Sequence, residues 1–284
     1  MNQIQRGLRF QQLHTTDSIF LMPNAWDAGS ALMLASFGFP AIATTSAGVC
    51  FSLGFPDQEA AVSPEAMLER VGSVSAAIQL PVSADLQAGY GTHPEEVGST
   101  IQRAIGAGVV GANIEDLSGN PSQPLFALDH ATERIRAARR AADASGIPFV
   151  LTARTDAYLT GASQPFAEAV RRCNAYREAG ADCLFIPGAS DPESIKALVR
   201  EIDGPLTVVM GLANSTLAGS AMTVPQLGAL GVRRVTIGGS LARATYGLIR
   251  QAAAEMAGPG SFTFANQQIP QGELSRFFEE QRKV

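Results

Sequence analysis

Cysteine is scarce. Cys50, Cys173 and Cys183 are the only three, odd in number and far apart, which excludes a disulfide framework and a site of clustered zinc thiolates. All three are expected to be reduced packing residues. No stretch approaches the ~18 consecutive apolar residues that a membrane span needs, and the opening MNQIQRGLRFQQLHTT has no signal-peptide core. A cytoplasmic protein with no membrane partner is the expectation. A basic block is also missing: 21 Lys and Arg stand against 26 Asp and Glu, a formal charge of −5. Nothing here holds a phosphate backbone, so nucleic acid is not an expected partner. No literal repeat is found either.

What is present is a globular balance, 46% hydrophobic and 17% charged over 284 residues. That length is near the ~250 residues typical of one α/β barrel, and a single domain over 1–284 is expected. Short β-branched or apolar runs alternate with longer amphipathic stretches. Eight strands are predicted, at 19–25, 41–46, 81–86, 111–116, 149–155, 183–188, 206–211 and 233–238. Three of the intervening helices open on a cap, a proline and a glutamate: Ser63-Pro64-Glu65, His93-Pro94-Glu95 and Asp191-Pro192-Glu193. Proline suits the first helical position because its missing N–H is not needed there, and the acid favours the positive end of the dipole. Strands alternating with helices imply parallel pairing, and eight such units are the number that closes a (β/α)8 TIM barrel. A doubly wound open sheet is the competitor. Its fingerprint, G-x-G-x-x-G, occurs at 106–111, but there it ends a helix and feeds a strand, the reverse of the order that binds a pyrophosphate. It reads as a helix terminus and turn.

Barrel proteins carry their chemistry at the C-terminal strand ends, and these ends are polar. They hold Asn24, Trp26 and Asp27; Thr44, Thr45 and Ser46; Asp85 and Gln87; Glu115 and Asp116; Arg154 and Asp156; Asn214 to Thr216; and Gly238-Gly239-Ser240. The glycine pair admits two readings, a phosphate-binding turn or a plain tight turn. Asp85 and Glu115 end neighbouring strands and would repel one another. A divalent cation resolves that repulsion, and Mg²⁺ is commonly held by one or two carboxylates with waters. Either acid alone could instead cap a helix or pair with Arg154.

The segments PNAWDAGSA, TTSAGVCFSLGFPDQEA, SADLQAGYG, ANIEDLSG, TARTDAY and GLANST together resemble the isocitrate lyase and phosphoenolpyruvate mutase superfamily along nearly the whole chain. The resemblance implies a TIM barrel with a C-terminal helical tail, here about 260–284, swapped between subunits of a homo-oligomer (dimer or tetramer). It also implies Mg²⁺, with Mn²⁺ as the alternative, stabilising the enolate of a 2-oxo acid. By resemblance Asp85 is the direct metal ligand and Asp57 and Glu115 hold metal-bound water; the Gln87 oxygen can still accept a water or reach the ion, without charge and so with lower metal affinity. Arg154 contacts a substrate carboxylate, with Asp57, Arg154 and Glu115 as the catalytic set. The segment Ser46, Ala47 and Gly48 receives the 2-oxo carboxylate, and Asn214, Thr216 and Arg243 touch the distal end of the substrate.

Three departures narrow the expectation. Gln87 stands where the superfamily commonly has a second acid. The loop LSGNPSQPLFALDH lacks the cysteine and lysine of the isocitrate and methylisocitrate lyases, and Gly188 replaces their glutamate. Missing the proton donor, the chain is expected to cleave a C–C bond in a simpler 2-oxo or 2-hydroxy carboxylate, oxaloacetate decarboxylation being the simplest form, as the 117–128 loop closes. Tyr90 and His93 are candidate proton donors, though a packing or capping role suits both better. The rivals are P–C chemistry on phosphonopyruvate, and a barrel that binds a carboxylate without turnover.

Overall fold

The computed structural model describes residues 1–58, 61–211 and 222–281. Nine strand segments pair side by side, all in parallel: β1 (Phe20–Met22), β2 (Asn24–Ala25), β3 (Ile42–Thr44), β4 (Val82–Asp85), β5 (Gly111–Glu115), β6 (Val150–Arg154), β7 (Cys183–Phe185), β8 (Leu206–Val209) and β9 (Arg234–Thr236). The first predicted run is split by Pro23, which has no N–H for the ladder. β1 pairs with β9 and β2 with β3, so the two halves of that one run close the barrel. The (β/α)8 TIM barrel expected from the sequence is therefore the observed fold.

Helices follow the strands: α1 (Gln3–Thr15) precedes the barrel, α2 (Ala28–Ala35) follows β2, α3 (Ser46–Ser52) and α4 (Pro64–Ala77) follow β3, and α5 (Pro94–Gly106), α6 (Leu128–Ala144), α7 (Pro165–Glu178), α8 (Pro192–Glu201), α9 (Val224–Ala229) and α10 (Ser240–Ala257) alternate with the rest. Ser63 and Asp191 cap as predicted, their side-chain oxygens accepting from Ala66 and Ser194 N–H. At the third start the work is reversed: Glu96 accepts the His93 N–H at 2.8 Å. Helix α5 buries Val97, Ile101, Ala104 and Ile105, the i, i+4, i+7, i+8 stripe of a helix packed on a core, each large side chain contributing about 1.5–3 kcal/mol. The 106–111 glycines lie where α5 stops, Gly108 at φ 94° and β5 beginning at Gly111, so the turn reading holds.

Helix α1 plugs the N-terminal end of the barrel. Phe10 packs with Phe20, Met22, Ala41, Ala43, Val110, Val150 and Cys183. Gly7 permits this approach, since a Cβ there would lie 2.1 Å from the Pro148 carbonyl oxygen. All three cysteines are buried and unpaired. Beyond α10 come a 3-10 turn (Thr263–Gln267) and α11 (Gln271–Gln281), which buries no residue. Among the described residues no helix is long and apolar enough to cross a membrane.

Candidate active site

The C-terminal mouth of the barrel holds a two-lobed cavity, about 440 and 500 Å³, whose lobes share Ser46, Asp57 and Arg154. Asp85, Ala47 and Arg243 line the deeper lobe, and Gln87, Glu115 and the 117–124 loop line the other. A larger groove of about 750 Å³ between α3 and α10 shares Arg243 but has no acid among the described residues that line it, so it does not offer the same chemistry.

Arg154 is the centre of the polar arrangement. Its Nη1 lies 2.8 Å from Glu115, and its Nε and Nη2 donate to the two oxygens of Asp156 at 2.7 and 3.0 Å. This is the bidentate geometry in which arginine holds a carboxylate most firmly. Asp156 is fixed in turn: its N–H donates to Asp116, which also accepts from Tyr176 Oη at 2.7 Å and Arg172 at 3.1 Å. Burial opposes the Arg154 charge, but Glu115, Asp156 and Asp85 together hold the guanidinium protonated. Burial pushes the Glu115 carboxyl well up against the opposing pull of Arg154, and Asp156, Asp85 and Asp57 push it further.

Asp85 accepts from the Ser46 N–H at 2.8 Å and from Asn113 Nδ2 at 3.0 Å, while its own N–H donates to Thr44 Oγ1. Asp57 stands on the open rim and accepts from Gln87 Nε2 at 3.1 Å. Partial burial raises its carboxyl, the Asp85 charge adds to that, and hydrogen bonds from Ser46 and Gln87 counter it. Both Asp85 and Glu115 thus also play the plainer roles open to them, one meeting a helix start and the other an arginine.

Three carboxylates face one cavity whose nearest guanidinium is already divided between Glu115 and Asp156. The donors left over are carboxylate and amide oxygens, the hard ligands that suit Mg²⁺. Among the described residues no three His, Cys, Asp or Glu converge closely enough to hold an ion by themselves. An ion here would rest on one or two carboxylates and water, the usual arrangement for Mg²⁺. The donor set fits.

Of the segment expected to receive a carboxylate, Ser46 N–H is taken by Asp85 and Gly48 N–H by Thr45 Oγ1, leaving Ala47. Ser46 itself starts α3 rather than ending a strand. In the Gly238-Gly239 turn, Gly238 N–H donates to Asn24 Oδ1 at 2.9 Å, and a Cβ on Gly239 would sit 2.9 Å from Ala47 Cβ. Gly188 has φ 94°, and a Cβ there would lie 2.9 Å from Tyr158 Cβ, so the glutamate of the isocitrate lyases has no room. Tyr90 and His93 do not line either lobe. Asn120 turns back on Ser122, accepting both its N–H and Oγ–H. Asn214 and Thr216 lie outside the described residues. Asn113 escaped the reading of strand ends, although its spacing of two from Glu115 puts both on the inward face.

The 117–124 loop is stitched shut as a wall. Leu117 bridges Leu125, Ser118 N–H donates to the Pro124 carbonyl at 2.9 Å, and Phe126 N–H to that of Asp116.

The fold and this mouth define the class: a (β/α)8 barrel with an acid-rich, arginine-centred cavity at the strand ends. The chain belongs to the phosphoenolpyruvate phosphomutase family, which it matches over residues 10–257, within the isocitrate lyase and phosphoenolpyruvate mutase superfamily. It is 44% identical to a Burkholderia cenocepacia J2315 protein assigned as a lyase/mutase, with TM-score 0.91 over 97% of this chain and 96% of the other. The 2-methylisocitrate lyase of Halalkalibacterium halodurans is 30% identical over 73% of this chain and 67% of its own. A phosphonopyruvate hydrolase solved with oxalate and Mg²⁺ is 25% identical, with TM-score 0.83 over 100% and 97%.

Proposed function

We propose that the chain is a Mg²⁺-dependent lyase that breaks a C–C bond in a small 2-oxo or 2-hydroxy carboxylate, with oxaloacetate decarboxylation as the simplest case. The placing of Asp57, Asp85 and Glu115 around the two lobes of one cavity beside Arg154 carries this reading. Asp85 would hold the ion, with Asp57, Glu115 and the Gln87 oxygen around it; when bound, Mg²⁺ supplies Lewis-acid charge beside a developing enolate oxygen. Arg154 has five N–H donors, three of them engaged by Glu115 and Asp156, and the remaining two, which have no partner among the described residues, would grip a substrate carboxylate. Arg243 faces the deeper lobe and would read the distal end of the substrate. The 117–124 wall limits water. Turnover of 2-oxo diacids that disappears in Asp85→Ala and under chelation is expected; full activity in excess chelator overturns the reading.

The family match favours a second reading, P–C bond chemistry on phosphonopyruvate. The lysine-free loop argues against it, and a phosphate-release assay separates the two. Mg²⁺-dependent thermal stabilisation by oxalate without turnover of any of these acids would point to a binding protein instead.

A further inference from the structure

Below the acids the barrel interior stays polar, where branched apolar side chains ordinarily fill such a barrel. Thr152, Thr207 and Arg234 are buried there. Arg234 Nη1 lies 3.1 Å from His14 Nε2, Nη2 donates to Thr152 Oγ1 at 3.0 Å, and Nε finds no partner. His14 Nδ1 sits 2.8 Å from the Phe10 carbonyl oxygen, which can only accept. The His14 proton is therefore on Nδ1, and Nε2 is a neutral acceptor. Burial, reinforced by the Arg234 charge, pushes the His14 pKa down to about 3.

Neither partner of Arg234 is negative, and among the described residues no carboxylate lies within ion-pair distance of it. Burial lowers its pKa, with only the Cys183 thiol countering. A guanidinium carries five N–H donors, and two are used. Buried charge without a counter-charge is strongly unfavourable. The same side chain lines the deeper lobe of the cavity together with Met22, Ser83, Asn113 and Thr236, so the space beside it is continuous with the mouth.

We infer that Arg234 is the seat of a small monovalent anion at the floor of the cavity, either a halide or the carboxylate end of a small acid. The anion supplies the missing counter-charge and accepts N–H bonds that His14 and Thr152 leave over. Arg234 lines the same deeper lobe as Asp85 but pairs with none of the acids, so a halide there is independent of the lyase reading, whereas a substrate carboxylate there rests on it.

Crystals of the full chain grown with bromide at physiological ionic strength test this. A bromide anomalous peak in contact with the Arg234 guanidinium is expected, and its disappearance in Arg234→Met. Adding oxalate and Mg²⁺ separates the sources: a ligand carboxylate in place of bromide identifies the acid, and persisting bromide identifies the inorganic ion. Neither at Arg234, or a bromide peak that survives Arg234→Met, overturns the inference. Should that variant fail to fold, the wild-type maps decide alone.

Discussion

Arg154→Lys tests the residue on which the cavity turns. An ammonium is a point charge on a flexible stem and cannot grip both oxygens of Asp156 while reaching Glu115. A fall of about 100-fold or more in kcat/KM on the 2-oxo diacid is expected, of the size found when a transition-state donor is removed, with the circular dichroism spectrum unchanged. His14 gives a prediction in pH. Its folded pKa of about 3 lies below the unfolded value near 6.5, so below pH 6.5 the unfolded chain binds a proton that the folded chain refuses. Its share of stability is present above pH 6.5 and is lost as pH falls toward 3, about 1.4 kcal/mol per unit. Urea unfolding at pH 6.5 and 4.5 should show a shallower loss in His14→Gln, whose side chain cannot titrate. An equal slope in both proteins would exclude a buried neutral histidine.

At the scale of elements, the last residue of strand β5 and the residue that follows it carry opposite duties. Glu115 faces the cavity and Asp116 faces α7, where Tyr176 and Arg172 hold it. Removing the phenol in Tyr176→Phe takes a hydrogen bond from a buried carboxylate, and a loss of about 1.5–3 kcal/mol is expected in denaturant unfolding. Because Asp116 also fixes Asp156 and through it Arg154, kcat should fall more than KM changes. The contact between α1 and β5 is tested by Gly111→Ala. A Cβ there would lie 2.6 Å from Phe10 and 2.9 Å from the Val150 carbonyl oxygen, so overpacking should cost about 1–3 kcal/mol.

For the whole molecule, association turns on the outer face of α10. Helix α10 leaves Leu241, Tyr246, Leu248, Ile249 and Met256 exposed and buries only Ala242 and Ala252. A run of this kind marks an interaction surface. We propose a homo-oligomer joined through α10 and the tail. In this chain Phe278 of α11 lies near Gly29 of its own α2, so a swapped tail would have to exchange that contact for the same one on a neighbour. Sedimentation should show a dimer or tetramer that Ile249→Glu shifts toward monomer; a wild-type monomer at micromolar concentration would rule the proposal out.

The alternation of apolar runs with amphipathic stretches was enough to determine the barrel, because each period is a local property of the chain and eight βα units have one common way to close. Strand-end polarity likewise marks Asp85, Glu115, Arg154 and Asp156 in the sequence alone. Local pattern does not say which of these meet. The pairing of Glu115 with Arg154, the tie of Asp85 to Ser46 and the lone charge of Arg234 beneath them depend on strand stagger and closure, which set neighbours across the barrel between residues dozens to hundreds of positions apart. Only tertiary structure supplies those distances, and with them the energetic imbalance of the site.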